Sequence, residues 1–134
     1  MVGVVIVTHG NIARDLVEVT EMIVGAPTTI IPVTIQPDEG IGEIARKVDE
    51  AVKSADKGKG VLILTDLFGG TPSNVSLSFL QDNKVEVISG VNLPMTIKIS
   101  THCDTTDLKE LARLARNAGK KNISMASEIM RKKV

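Results

Sequence analysis

The chain has no tryptophan, no tyrosine and only two phenylalanines, Phe68 and Phe79. Its core therefore has to be built from Val, Ile, Leu, Ala and Met. The scarcity also excludes a base-stacking nucleic-acid surface, which works through aromatic faces. Neither sign of charge dominates: 16 Lys and Arg stand against 16 Asp and Glu. The electrostatic footprint of a polyanion-binding domain is missing. The basic tail "RKKV" reads as a solvated C-terminus. A single cysteine, Cys103, excludes an internal disulfide and fits a reducing compartment. No apolar run nears the roughly 18 residues of a membrane span. The first run, "VGVVIV", lacks the basic flank of a signal peptide. These absences together predict a cytoplasmic protein. Histidine is scarce too, with only His9 and His102.

What is present is an ordinary globular composition, 43% apolar and 24% charged over 134 residues. That length predicts one domain with a proper core. Four Val- and Ile-rich runs have strand character: Val2 to Thr8, Thr28 to Ile35, Gly60 to Thr65 and Lys84 to Ser89. The first and third are continuously apolar, as central parallel strands covered on both faces are. Pro32 in the second marks an edge strand. Helical patterns fall between the runs. Ile12, Leu16, Val19 and Ile23 form one stripe, ended by Gly25 and Pro27. Ile41, Ile44, Ala45, Val48, Ala51, Val52 and Ala55 form a second. A third helix opens at "TPSN", with Thr71 as N-cap and Pro72 first in the helix. A late helix runs from about Asp107 to Ala118, with Gly119 as its C-cap. The stretch "NISMAS" could add a fifth short strand. The alternation predicts a doubly wound, mainly parallel α/β sheet with helices on both faces and strand order beginning 2-1-3-4.

Such sheets bind ligands beyond the C-terminal ends of their strands, where the strand order reverses. Strands one and three become neighbours there. Strand one ends in Thr8-His9 and strand three in Thr65-Asp66. Topology thus brings an imidazole and a carboxylate to one crevice. The loop "LFGGTPSN" follows, with Gly69 and Gly70 able to bring backbone close to a ligand. Thr71 and Ser73 add N–H groups and a hydroxyl at a helix start, which suits an anion. "GVNLPM" forms a third loop on the same rim. A carboxylate on one imidazole nitrogen leaves the other nitrogen's lone pair free and supports the positive charge that develops on attack. Beside an anion site, that combination reads as a phosphohistidine centre: His9 and Asp66 catalytic, Gly69, Gly70, Thr71 and Ser73 holding phosphate. Thr8, Gly10, Phe68 and Asn92 would form the rim facing a partner. The glycine after His9 is expected to keep the approach to the imidazole open.

Other motifs carry less. "GIGEIA" fits a dinucleotide fingerprint, but it follows the acidic "QPDE", which would repel a pyrophosphate. "TDLFGGT" faintly resembles the loop of haloacid-dehalogenase-type phosphatases, yet Phe68 stands where their second acid belongs. A metal-dependent phosphatase is disfavoured on that ground. His102 and Cys103 are adjacent, with no second ligand pair at metal spacing.

"VIVTHG", "TDLFGGTPSN" and "GVNLPM", in this order and spacing, resemble the mannose-type EIIA domains of the bacterial sugar phosphotransferase system. The resemblance covers about residues 1–125 and leaves 126–134 as a tail. It implies that His9 takes a phosphoryl group on Nε2 from the phosphocarrier protein HPr. It further implies transfer to a histidine of an EIIB component, with Asp66 orienting His9 and Thr71 standing where the family often has serine. It implies no metal or organic cofactor, and contact with the membrane only through EIIC and EIID. Homodimers are usual in the family, with the last short strand exchanged, which would explain "NISMAS". Many members continue into a fused EIIB domain. None follows within these 134 residues, so EIIB is expected to be a separate protein. The alternative is a regulatory module whose His9 phosphorylation controls partner binding without sugar transport. A related branch, in dihydroxyacetone kinase systems, has a different loop after strand three and ranks lower.

Overall fold

The computed structural model describes residues 1–132. The last two residues of the basic tail, Lys133 and Val134, lie outside them. Four strands form one all-parallel sheet: β1 (Gly3–His9), β2 (Ile31–Ile35), β3 (Val61–Thr65) and β4 (Val85–Ser89). The spatial order is β2-β1-β3-β4, as the alternation predicts. β1 and β3 occupy the centre because they are apolar at every core position. Their side chains alternate between two helical layers. Val4, Ile6, Leu62 and Leu64 face one layer and Val5, Val7, Val61 and Ile63 the other. Each such large aliphatic side chain stabilises the fold by about 1.5–3 kcal/mol on burial.

The first layer holds α1 (Ile12–Val24), α4 (Leu93–His102) and α5 (Leu108–Lys121). The second holds α2 (Ile41–Ala55) and α3 (Thr71–Leu77). The chain thus crosses to one face between β1 and β2 and to the other afterwards, which is the doubly wound pattern. β2 is an edge strand, and exposed Pro32 sits on it without weakening a central ladder.

Five local expectations change. α4 begins inside "GVNLPM", expected to be a loop, and continues through residues to which no element was assigned. Its Ile- and Thr-rich sequence hides the helical period, but Asn92 caps it by accepting the Met95 N–H at 3.2 Å. Gly119 does not cap α5. It is buried inside the helix, where a Cβ would lie 2.7 Å from Met95, so it lets α5 approach α4 closely. The α1 stripe is rotated: Ala13 and Thr20 are buried, while Ile12 and Ile23 are exposed. α3 is capped by Gly70, placing Thr71 first and Pro72 second in the helix. No fifth strand forms among the described residues. After Asn122 the chain enters α6 (Ala126–Lys132), begun by the Glu128 and Ile129 N–H groups donating to the Met125 carbonyl. A helix satisfies its backbone locally, whereas a strand needs a neighbouring edge.

Candidate active site

The site lies at the C-terminal ends of β1 and β3. Val7 pairs with Thr65, the last residue of β3, so Asp66 leaves the sheet beside Thr8, while β1 continues along β2 to His9. His9 follows at the end of β1. Its Nδ1 lies 2.9 Å from Asp66 Oδ2, and its backbone N–H donates to the same oxygen at 3.1 Å. An ionised carboxylate only accepts hydrogen bonds, so a neutral imidazole in this pairing carries its proton on Nδ1 and keeps its lone pair on Nε2. The His9 side chain is 49% exposed and that of Asp66 only 13%. The carboxylate is therefore sheltered while the imidazole is half-exposed.

Gly70 fits against the ring. A Cβ there would sit 2.9 Å from His9 Cε1 and 3.3 Å from Nε2. Only a residue without a side chain leaves the imidazole in place. Gly69 has φ +91°, a left-handed conformation that turns the loop toward α3. Thr71 is exposed at the start of that helix, and Phe68 is 75% exposed beside the loop.

Gly10 has φ +53°, and a Cβ on it would meet nothing within 4 Å. Glycine is thus required by backbone conformation, and the approach to His9 would be open without it. Thr8 is fully buried and accepts the Ala13 N–H at 2.7 Å. It caps the first turn of α1 and is not part of the rim. Asn92 is half-buried: its Oδ1 caps α4 and its Nδ2 donates to the Gly119 carbonyl at 3.4 Å. These two bonds tie Asn92 to α4 and α5. Ser73 is fully buried, with Oγ 3.5 Å from Ser89 Oγ. Its hydroxyl faces inward, away from the loop surface. In the sequence, Ser89 is marked only as a polar residue at the end of β4.

The neighbouring loop between β2 and α2 is braced by Glu39. Its carboxylate accepts the Gln36 N–H at 2.7 Å and pairs with the Lys47 ammonium at 2.9 Å. Both interactions hold its pKa below the ordinary glutamate value, the backbone bond most strongly. A groove of about 990 Å³ lies at the opposite end of the sheet, lined by Gly58, Lys59, Asp82 and Lys84 among others. It shares no residue with the His9 rim. Among the described residues no group of three His, Cys, Asp or Glu side chains is arranged to hold a metal ion.

The domain is a doubly wound parallel α/β fold that presents a half-exposed histidine, paired with a sheltered carboxylate, where the strand order reverses. Residues 3–115 match the EIIA-man family, described as "PTS system fructose IIA component". The chain is 32% identical to the PTS system fructose-specific EIIA component of Bacillus subtilis, covering 98% of this chain and 91% of that one. It is also 32% identical to the PTS system mannose-specific EIIAB component of Escherichia coli, covering 91% of this chain but 38% of that longer protein. The crystal structure of phosphotransferase system component EIIA from Streptococcus agalactiae superposes with a TM-score of 0.85 at 26% identity, covering 96% of this chain and 99% of that one. The chain belongs to the EIIA-man family: it is a phosphotransferase-system EIIA component of the mannose, fructose and sorbose group.

Proposed function

We propose that His9 Nε2 accepts a phosphoryl group from HPr and passes it to an EIIB component. The observation that carries this reading is the 2.9 Å contact between Nδ1 and Asp66, which leaves Nε2 as the nitrogen facing outward. On acceptance, the bond from the donor to phosphorus breaks as the Nε2–P bond forms. The Nδ1 proton stays against Asp66, whose charge supports the imidazolium-like ring. The reverse sequence delivers the group to EIIB. The N–H groups at Gly69, Gly70 and the start of α3, with the Thr71 hydroxyl, are suited to the phosphoryl oxygens. Phe68 and Gly10 belong to the rim on which a protein partner rests. No metal or organic cofactor takes part.

The relay works in the cytoplasm and reaches the membrane only through EIIC and EIID. No helix among the described residues is long and apolar enough to cross a membrane. The chain acts as a homodimer, for which the exposed Ile123, Met125 and Met130 beyond α5 offer an apolar surface. Sedimentation at micromolar concentration tests the dimer, and a monomer there refutes it. Incubation with phosphoenolpyruvate, enzyme I and HPr tests the relay. Acid-labile phosphate on His9, absent from His9→Ala and chased onto added EIIB, is the expected result. Label on His9→Ala overturns the assignment. Label that never leaves His9 overturns the donor step and favours a regulatory role.

A further inference from the structure

Asp66 has little to hold it. Its Oδ2 bonds only to His9, and its buried Oδ1 has no partner among the described residues. The carboxylate's place is therefore set by the backbone from which it projects. That backbone is the end of β3, and its last residue, Thr65, donates its hydroxyl to Ser89 Oγ at 3.0 Å. Ser89 Oγ also lies 3.5 Å from Ser73 Oγ, in the first turn of α3. Thr65 and Ser73 are fully buried and Ser89 is half-buried. The loop Leu67–Gly70, which packs Gly70 against the imidazole, is thus tied at both ends to one hydroxyl on β4. The Thr65 carbonyl accepts the N–H groups of Gly90 and Val91, at 2.9 and 3.0 Å, and closes the same junction from the backbone side.

We infer that Ser89 is a positioning residue for the His9 centre: through Thr65 it aims Asp66, and through Ser73 it seats the Gly69–Thr71 segment beside Nε2. A hydroxyl can accept from one neighbour while donating to another, which alanine cannot do. Two bonds to one atom also couple the loop's ends, so the carboxylate and the phosphate-facing backbone keep one geometry. This role rests on the phosphorelay reading for its catalytic consequence, but not for its effect on the ring.

The test pairs kinetics with the nitrogen spectrum of His9. In the native chain, 15N shifts should show Nδ1 protonated and Nε2 bare. Ser89→Ala should mix the tautomers and slow phosphoryl transfer about tenfold to a hundredfold, as displacement by an ångström does. Ser89→Thr should restore both. Two single cuts separate the arms and serve equally if Ser89→Ala fails to fold. Thr65→Val should disturb the tautomer, whereas Ser73→Ala should keep it and lower transfer alone. Native tautomer and native rate in Ser89→Ala, or in both single cuts, overturn the proposal. Failure of the threonine variant to restore a folded alanine variant's losses does the same. A native chain that takes no phosphate, alongside a disturbed tautomer in Ser89→Ala, overturns the relay reading and leaves the positioning role standing.

Discussion

One oxygen of Asp66, Oδ2, accepts both the backbone N–H and the Nδ1–H of His9, at 3.1 and 2.9 Å. Ring and backbone are thereby fixed by a single acceptor, and the ring has one orientation relative to the strand that carries it. Asp66→Asn keeps the volume but offers an amide that can donate to Nδ1, moving the proton to Nε2 and removing the nucleophile. Phosphate acceptance should fall about a hundredfold or more. The melting temperature should stay within a few degrees, because asparagine keeps the side chain's volume and an oxygen that can accept the His9 N–H. Quench-flow measurement of His9 phosphorylation, with a thermal melt, checks both parts.

Two glycines near His9 should respond in opposite ways. Gly70 has an ordinary extended backbone, φ −81°, but a Cβ there meets the imidazole at 2.9 Å. Gly70→Ala should displace the ring and cripple transfer with little loss of stability. Gly10 has open space but φ +53°. Gly10→Ala should cost about 1 kcal/mol of stability and leave transfer nearly intact. Urea midpoints and transfer rates, measured on both variants, would expose a reversed pattern.

Thr8→Val removes the acceptor for the buried Ala13 N–H at the start of α1. An unsatisfied buried donor should lower stability by about 1–3 kcal/mol, and Thr8→Ser should recover most of it. Chemical denaturation of the three proteins decides this. Equal stability in the valine variant would contradict the capping role.

Glu39 is held below its ordinary pKa by the Gln36 N–H and by Lys47. A depressed carboxylate contributes stability that is present above its unfolded pKa and lost as pH falls through its folded value. Glu39→Gln should therefore lower stability at pH 7 and flatten the acid limb below about pH 4–5. Urea midpoints across pH 3–7 give the slope. Parallel curves for the two proteins would remove Glu39 from the acid transition.

The sequence alone determined the sheet and its switch point. Uninterrupted apolar runs at β1 and β3 can only be central strands, and Pro32 keeps β2 at an edge. From that order it followed that His9 and Asp66, 57 residues apart, end adjacent strands. Tertiary packing decided what local pattern does not encode. The Ile- and Thr-rich α4 is helical because it covers β1 and β3 beside α1, where burial overrides weak propensity. Gly119 lies within the last turn of α5, where Met95 occupies the space a side chain would need. Thr8 turned inward, since a polar group at a strand end first satisfies a nearby helix terminus. Residues 126–132 of the tail became a helix because hydrogen bonds within α6 need no second edge. Gly70 against the ring and Ser89 beneath the loop arise from distances across three elements, and no spacing along one chain carries that information.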